Sequence, residues 1–191
     1  LKYEIKGNAV TITGRDRKVS GALTIPATIE GKPVTSIGKS AFSRCYSLTS
    51  ITVPDGVTSI GKYAFSNCSD LTSITIPDGV TSIGERAFSS CLRLLAIKVG
   101  AGNISYADAD GVLFNKKKTL LVTYPKGKKG TNYDVPDGVA TIGVAAFYEC
   151  RNLRNITISD GATAIGEEAF HGCSSLMSIT IPDSVTSIGD Y

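Results

Sequence analysis

The 191-residue sequence predicts a mainly β solenoid, a right-handed stack of about six short coils with one inserted β-hairpin. Three observations predict it. A 23-residue unit recurs over 48–70 (LTSITVPDGVTSIGKYAFSNCSD), 71–93 (LTSITIPDGVTSIGERAFSSCLR) and 153–175 (LRNITISDGATAIGEEAFHGCSS), and part of it returns at 176–191. Whole columns repeat with it. Phe42, Phe65, Phe88, Phe147 and Phe170 form one column, and Gly38, Gly61, Gly84, Gly143, Gly166 and Gly189 form another. The five cysteines, Cys45, Cys68, Cys91, Cys150 and Cys173, follow at steps of 23, 23, 59 and 23, which is a repeat period rather than a disulfide framework.

The elements follow in chain order. Residues 1–22 form a cap: Tyr3 to Ile5 and Val10 to Thr13 read as a hairpin joined by Gly7-Asn8, covering the first open coil. Repeats run over 23–93, where Pro26 to Val34 carries five residues more than the usual turn and predicts a bulged loop. Within the unit at 71–93, Leu71, Ile74 and Ile76 point inward while Thr72, Ser73 and Thr75 point outward, giving a short strand with one buried face. Pro77-Asp78-Gly79 turns the chain, and Val80 and Ile83 lead back to Gly84. Ala87 and Cys91, four apart, predict a single helical turn that sends Phe88 to the centre of the coil. One such unit cannot bury its own apolar face, but a stack can. The stretch 94–133 departs from the period; Val112 to Phe114 and Leu120 to Thr123 flank Asn115 and three lysines and read as the inserted hairpin, which projects from the stack or thickens it. Repeats resume over 134–191, and the last lacks its Phe and Cys, ending at Tyr191 in the column of Tyr63 and Arg86.

The pattern LxxIxIPxxVxxIGxxAFxxC resembles the BspA-type leucine-rich repeat of bacterial surface proteins. The opening VTITG, the EGKPVTSIG segment and the DGVLFNKKKTLLVTYPKGKKG insertion share the resemblance, which covers nearly the whole chain. Ser159 departs from it, standing where the turn has proline. The resemblance implies a cell-surface or secreted protein of a host-associated bacterium, engaged in adhesion to host matrix proteins or other bacteria. It carries no shared catalytic motif. The sequence opens at Leu1 without a recognisable signal segment, so the expected location rests on the resemblance.

Composition bounds the function. A net charge of +3, 42% hydrophobic residues and one His leave no multi-His metal site, and no apolar run approaches the ~18 residues of a membrane helix. No cofactor is expected, and His171 has no nucleophile motif beside it. The cysteine column reads as a ladder of small buried hydrophobes. Asp55, Asp78, Asp137, Asp160 and Asp183 read as turn residues rather than calcium ligands, since the Gly-rich calcium nonapeptide is missing. The triplets at Asn67, Asn103 and Asn155 match a glycosylation acceptor, as expected by chance in a Ser/Thr-rich repeat.

Two surfaces remain as candidates. The outward strand face carries Thr49, Ser50 and Thr52, then Thr72, Ser73 and Thr75, then Lys98, then Arg154, Asn155 and Thr157, then Met177 and Thr180. Its first rows are repeated hydroxyls and its later rows vary in charge and size, which is where a repeat frame can place specificity. The basic hairpin region carries Lys116, Lys117, Lys118, Lys126, Lys128 and Lys129; residues 92–133 hold eight basic groups against two acidic ones, whereas 134–191 hold two against eight. With few aromatics interleaved, this basic stretch suits an exposed loop, an anionic glycan or an acidic protein better than nucleic acid. The expected function is therefore a non-enzymatic binding or adhesion module, a monomeric part of a larger chain, recognising a protein or glycan. A passive spacer is the first alternative, and a solenoid enzyme acting on acidic polysaccharide the second.

Overall fold

A computed structural model describes residues 1–15 and 19–190; part of the expected cap, residues 16–18, and the column position of Tyr191 lie outside the described residues. In chain order the strands are β1 (Lys2–Lys6), β2 (Ala9–Gly14), β3 (Gly21–Thr24), β4 (Thr28–Ile29), β5 (Lys32–Ile37), β6 (Leu48–Thr52), β7 (Ser59–Ile60), β8 (Ser73–Ile76), β9 (Ser82–Ile83), β10 (Ala96–Val99), β11 (Tyr106–Ala109), β12 (Val112–Asn115), β13 (Leu120–Thr123), β14 (Asn132–Asp134), β15 (Thr141–Ile142), β16 (Asn155–Thr157), β17 (Ala164–Ile165), β18 (Ser178–Thr180) and β19 (Ser187–Ile188).

Each coil adds one strand to each of two faces. The outward face runs β3-β6-β8-β10 and then, separately, β14-β16-β18. The return face runs β2-β5-β7-β9 and then β13-β15-β17-β19. Pairing along both faces is parallel, and in the regular coils it joins residues 23 positions apart, as in Ile51 with Ile74 and Ile60 with Ile83. The eight return strands make about eight turns rather than six. The two extra turns come from β2 and β13, whose sequences lack the Ala-Phe-x-x-Cys signature that marks a coil.

The expected single helical turns are absent; among the described residues there is no helix. The backbone explains the difference. Ala41 N–H donates to the Gly38 carbonyl, Ser43 to Ser40 and Cys45 to Phe42, each three residues back. The alternate amides, Ser40, Phe42 and Arg44, donate to Lys62, Ala64 and Ser66 of the next coil. A helix would return every N–H to the carbonyl four residues back along its own axis, leaving none for the neighbour. The sequence spends alternate donors on stacking instead, and this linked-turn path holds Ser40 and Arg44 at φ of 56° and 61°.

The columns pack as read from the sequence. Phe42, Phe65 and Phe88 are fully buried, with ring centroids 5.5 and 5.7 Å apart and planes within a few degrees of parallel. A second column of Tyr124, Phe147 and Phe170 stacks at 5.3 Å per step, so Tyr124 takes the Phe position in the irregular coil. The cap hairpin forms as β1 against β2, and β2 continues into the stack by pairing with β5. The segment expected as a bulged loop is a tight hairpin: Ile29 faces Lys32 across Glu30-Gly31, both at positive φ, the geometry that matches strand twist.

The insertion thickens the stack. β12 and β13 pair as predicted, β11 adds a third antiparallel strand, and β13 rejoins the parallel ladder through β15. Leu113 belongs to the N-terminal core, while Val112 and Phe114 on the opposite side of β12 belong to the C-terminal core. The strand is thus a wall between two apolar cores, its alternation serving both.

Truncation should grade with depth in this packing. Phe88→Ala should cost about 3–5 kcal/mol, Phe170→Ala in the half-buried last column position less, and Thr75→Ala on the outward face about 0.5 kcal/mol or less. Denaturant melts of the three variants check the order.

Candidate binding surfaces

The outward face is built by the strand alternation. Ile51, Ile74, Ile97 and Ile156 are buried, which turns their neighbours outward. Thr49, Thr52, Ser73, Thr75, Lys98, Arg154, Asn155, Thr157, Met177 and Thr180 are exposed, and Ser50 and Thr72 are half-buried. The face is split: the Thr/Ser rows and Lys98 lie along the N-terminal sheet, and the rows of Arg154 and Met177 along the C-terminal one. In the first part the hydroxyls serve the stack, since Thr72 Oγ1 donates to the Thr49 carbonyl at 3.2 Å. In the second, Asn155 Nδ2 donates to Asn132 Oδ1 at 2.8 Å. Met177 is 80% exposed and Leu95, just before β10, 47%. Lys98 lies 3.5 Å from Asp108, a carboxylate of the insertion whose Oδ1 also accepts from Val99 N–H.

The six lysines of the basic stretch do not make one patch. Lys116, Lys117, Lys118 and Lys129 are exposed; Lys116 Nζ donates to the Asn103 carbonyl at 2.6 Å. Lys128 pairs with Asp110 at 2.7 Å. Lys126 is buried at 5% exposure, between the two stacks, with its ammonium 5.9 Å from the Tyr148 ring centre. Burial pulls its pKa below the usual lysine value, against the opposing pull of Cys150, Cys91 and Glu149 nearby.

The other columns take structural places. Cys68, Cys91 and Cys173 each donate a thiol proton to a Phe carbonyl of the preceding coil at 3.0–3.2 Å. At the capped end the Cys68 thiol and the Arg15 Nε, 2.6 Å from the sulfur, bring Cys45 down to about 7. Asn103 is fully buried and donates to the Pro77 and Val80 carbonyls while accepting from Ser105 and Tyr106 N–H. The sequence offered it only as a chance glycosylation triplet, although it anchors the entry to the insertion.

Sequence reasoning did not find the break between the stacks. The return face stops at β9 and restarts at β13, and between them lies a cleft of about 300 Å³ walled by Ile83, Leu120, Val122, Ile142 and Val144. Arg86 spans it, reaching Glu167 at 2.9 Å and Glu168 at 3.1 Å, with Tyr63 Oη at 3.1 Å on its own side. Ser90 Oγ donates across to Glu149 at 2.6 Å. The 59-residue cysteine step was the available signal: it marks an interrupted stack, without saying which side stays open.

The BspA type leucine rich repeat model matches in six copies over residues 24–120 and 123–191. The chain belongs to that family. Among solved structures, a leucine rich cell surface protein of Faecalibacterium prausnitzii is 36% identical with a TM-score of 0.78, over 91% of this chain and 44% of its own. A leucine-rich repeat protein of Eubacterium ventriosum is 29% identical with a TM-score of 0.63, over 95% and 63%. The T. pallidum leucine rich repeat protein is 26% identical with a TM-score of 0.64, over 98% and 82%. The chain thus spans under half of the Faecalibacterium protein. No curated protein matches the sequence.

Lys126 gives this BspA-type chain a pH signature. Its folded pKa lies below the unfolded value, so the folded state binds fewer protons between the two and stability from this group rises with pH there. Lys126→Met should raise the melting temperature at pH 7, as replacing a buried charge by an apolar chain of similar length does. The gain should shrink toward pH 10, and paired melts at the two pH values check it.

Proposed function

We propose that the chain is a non-enzymatic binding module of a bacterial surface protein, displayed outside the cell and taking a protein or glycan ligand on its outward strand face. One observation carries the reading: a regular frame of short parallel strands presents side chains that change from repeated hydroxyls to Lys98, Arg154 and the 80% exposed Met177. Exposed methionine beside arginine gives adaptable apolar contact next to a multidentate donor, a combination suited to recognition rather than to solubility. The Faecalibacterium relative bears the description of a cell surface protein, which supports the location.

The spacer reading draws on a different observation. Thr72 on the outward face and Thr58, Thr81 and Thr163 in the return-face column bond back onto the preceding coil, so much of the hydroxyl content of the repeat serves stacking. The N-terminal strand rows then act as frame, and the rows of Arg154 and Met177 as ligand surface.

A glycan and matrix-protein array should show binding by the purified chain. Arg154→Glu with Met177→Asp should weaken it at least tenfold, a loss of about 1.4 kcal/mol, with no change in melting temperature. Absence of signal on every array would favour the spacer.

A further inference from the structure

We infer that the break between the two stacks is a docking slot for one extended, uncharged segment of a partner protein, which adds itself as the missing half-coil. The inference goes beyond the outward-face reading and concerns the return face and its turns.

The regular coils supply the template. In the two preceding coils, the amides at the first, third and fifth positions of the linked turns donate to the next coil: Ser40, Phe42 and Arg44 to Lys62, Ala64 and Ser66, then Tyr63, Phe65 and Asn67 to Glu85, Ala87 and Ser89. The corresponding amides of the third coil are Arg86, Phe88 and Ser90. Among the described residues none of these three N–H groups has a backbone acceptor. They form a row of donors on alternate residues, facing the break. β9 beside them is an edge, and its next forward donor, Ile83 N–H, is met by the Tyr106 hydroxyl at 2.8 Å where a coil carbonyl would otherwise stand. An open edge of this kind accepts a strand from another chain, with main-chain bonds giving affinity and side-chain pockets giving specificity.

The pocket meets the row at its Arg86 end, while Ser90 at the other end lines a polar cleft with Tyr63, Asn67 and Tyr148. The cleft of about 300 Å³ is at the low end of the range for binding pockets, large enough for side chains and too small for a folded element. Its walls are apolar, from Ile83 on one stack to Leu120, Val122 and Val144 on the other. The charges at the rim pair among themselves: Lys62 with Glu85, Arg86 with Glu167 and Glu168, and Arg151 with Glu149. A rim whose charges are engaged with one another, over an apolar cleft, complements an uncharged occupant of small and apolar residues. The repeat itself has this chemistry, as in Thr-Ile-Gly-Val-Ala-Ala-Phe-Tyr at 141–148.

The test uses a capped, labelled peptide of sequence 141–148 and the full chain. Anisotropy should show saturable binding. Amide exchange should show Arg86, Phe88 and Ser90 fast in the free protein and slowed at least about tenfold on binding. Val144→Trp, which fills the cleft, should weaken binding at least tenfold, and Val122→Trp supplies the same block if the first variant does not fold. A peptide with Asp in place of its Ile should not bind. Protected amides in the free chain, no binding, or binding unchanged by either tryptophan would overturn the inference. Self-association of the chain that the tryptophans abolish would place a second copy in the slot and overturn it as well. Because none of these variants touches Arg154 or Met177, failure here leaves the outward-face reading standing.

Discussion

Adjacent coils of this protein are joined by main-chain hydrogen bonds from one repeat to the next, and the close approach that these bonds impose governs the rest of the structure. The return segment packs so tightly that a Cβ built on Gly61 would lie 2.6 Å from the Lys39 nitrogen and 2.7 Å from the Gly38 carbonyl carbon. Gly166 meets Val144 in the same way. The glycine column is therefore a steric requirement of stacking rather than a source of flexibility. The same spacing brings the Phe rings to about 5.5 Å and the Cys68, Cys91 and Cys173 thiols to a carbonyl of the coil before. It also decides the local structure, because amides that must reach the neighbour cannot close a helix.

The repeat columns made most of this legible. The inward Leu and Ile positions, the central Phe, the outward Thr/Ser rows and the β12–β13 hairpin all follow from periodicity, since burial on a stack of identical coils leaves little choice. The helical turns misread the spacing of Ala87 and Cys91. Four residues apart suits one face of a helix, but linked turns bring the same pair inward, and only the ladder to the next coil distinguishes the two. The coil count fell short because β2 and β13 enter the ladder with sequences shaped by antiparallel partners.

The interruption at 94–133 is where sequence reasoning carried least. Lysines that look alike in the sequence separate by context: Lys126 sits buried between two stacks, Lys128 is paired, and Lys117 is exposed. Tyr124 takes a Phe position one 23-residue period before Phe147, but without the Ala and Cys that flag that position in the regular coils. An insertion that divides one core into two creates a cleft that a regular solenoid lacks, and places it away from the outward strand face. The chain thus has two surfaces of different chemistry, a broad varied strand face and a narrow apolar cleft beside amides that have no backbone acceptor among the described residues.

The dependence of the fold on coil-to-coil approach is tested most directly by adding one methyl group. Gly61→Ala forces a Cβ against the backbone of the preceding coil, whereas Gly161→Ala places one in open space at ordinary φ. Equilibrium denaturation of the two variants beside the parent should show Gly61→Ala destabilised by about 1–3 kcal/mol, as for overpacked sites. Gly161→Ala should stay within about 0.5 kcal/mol of the parent. Equal stability of the two variants would contradict the account.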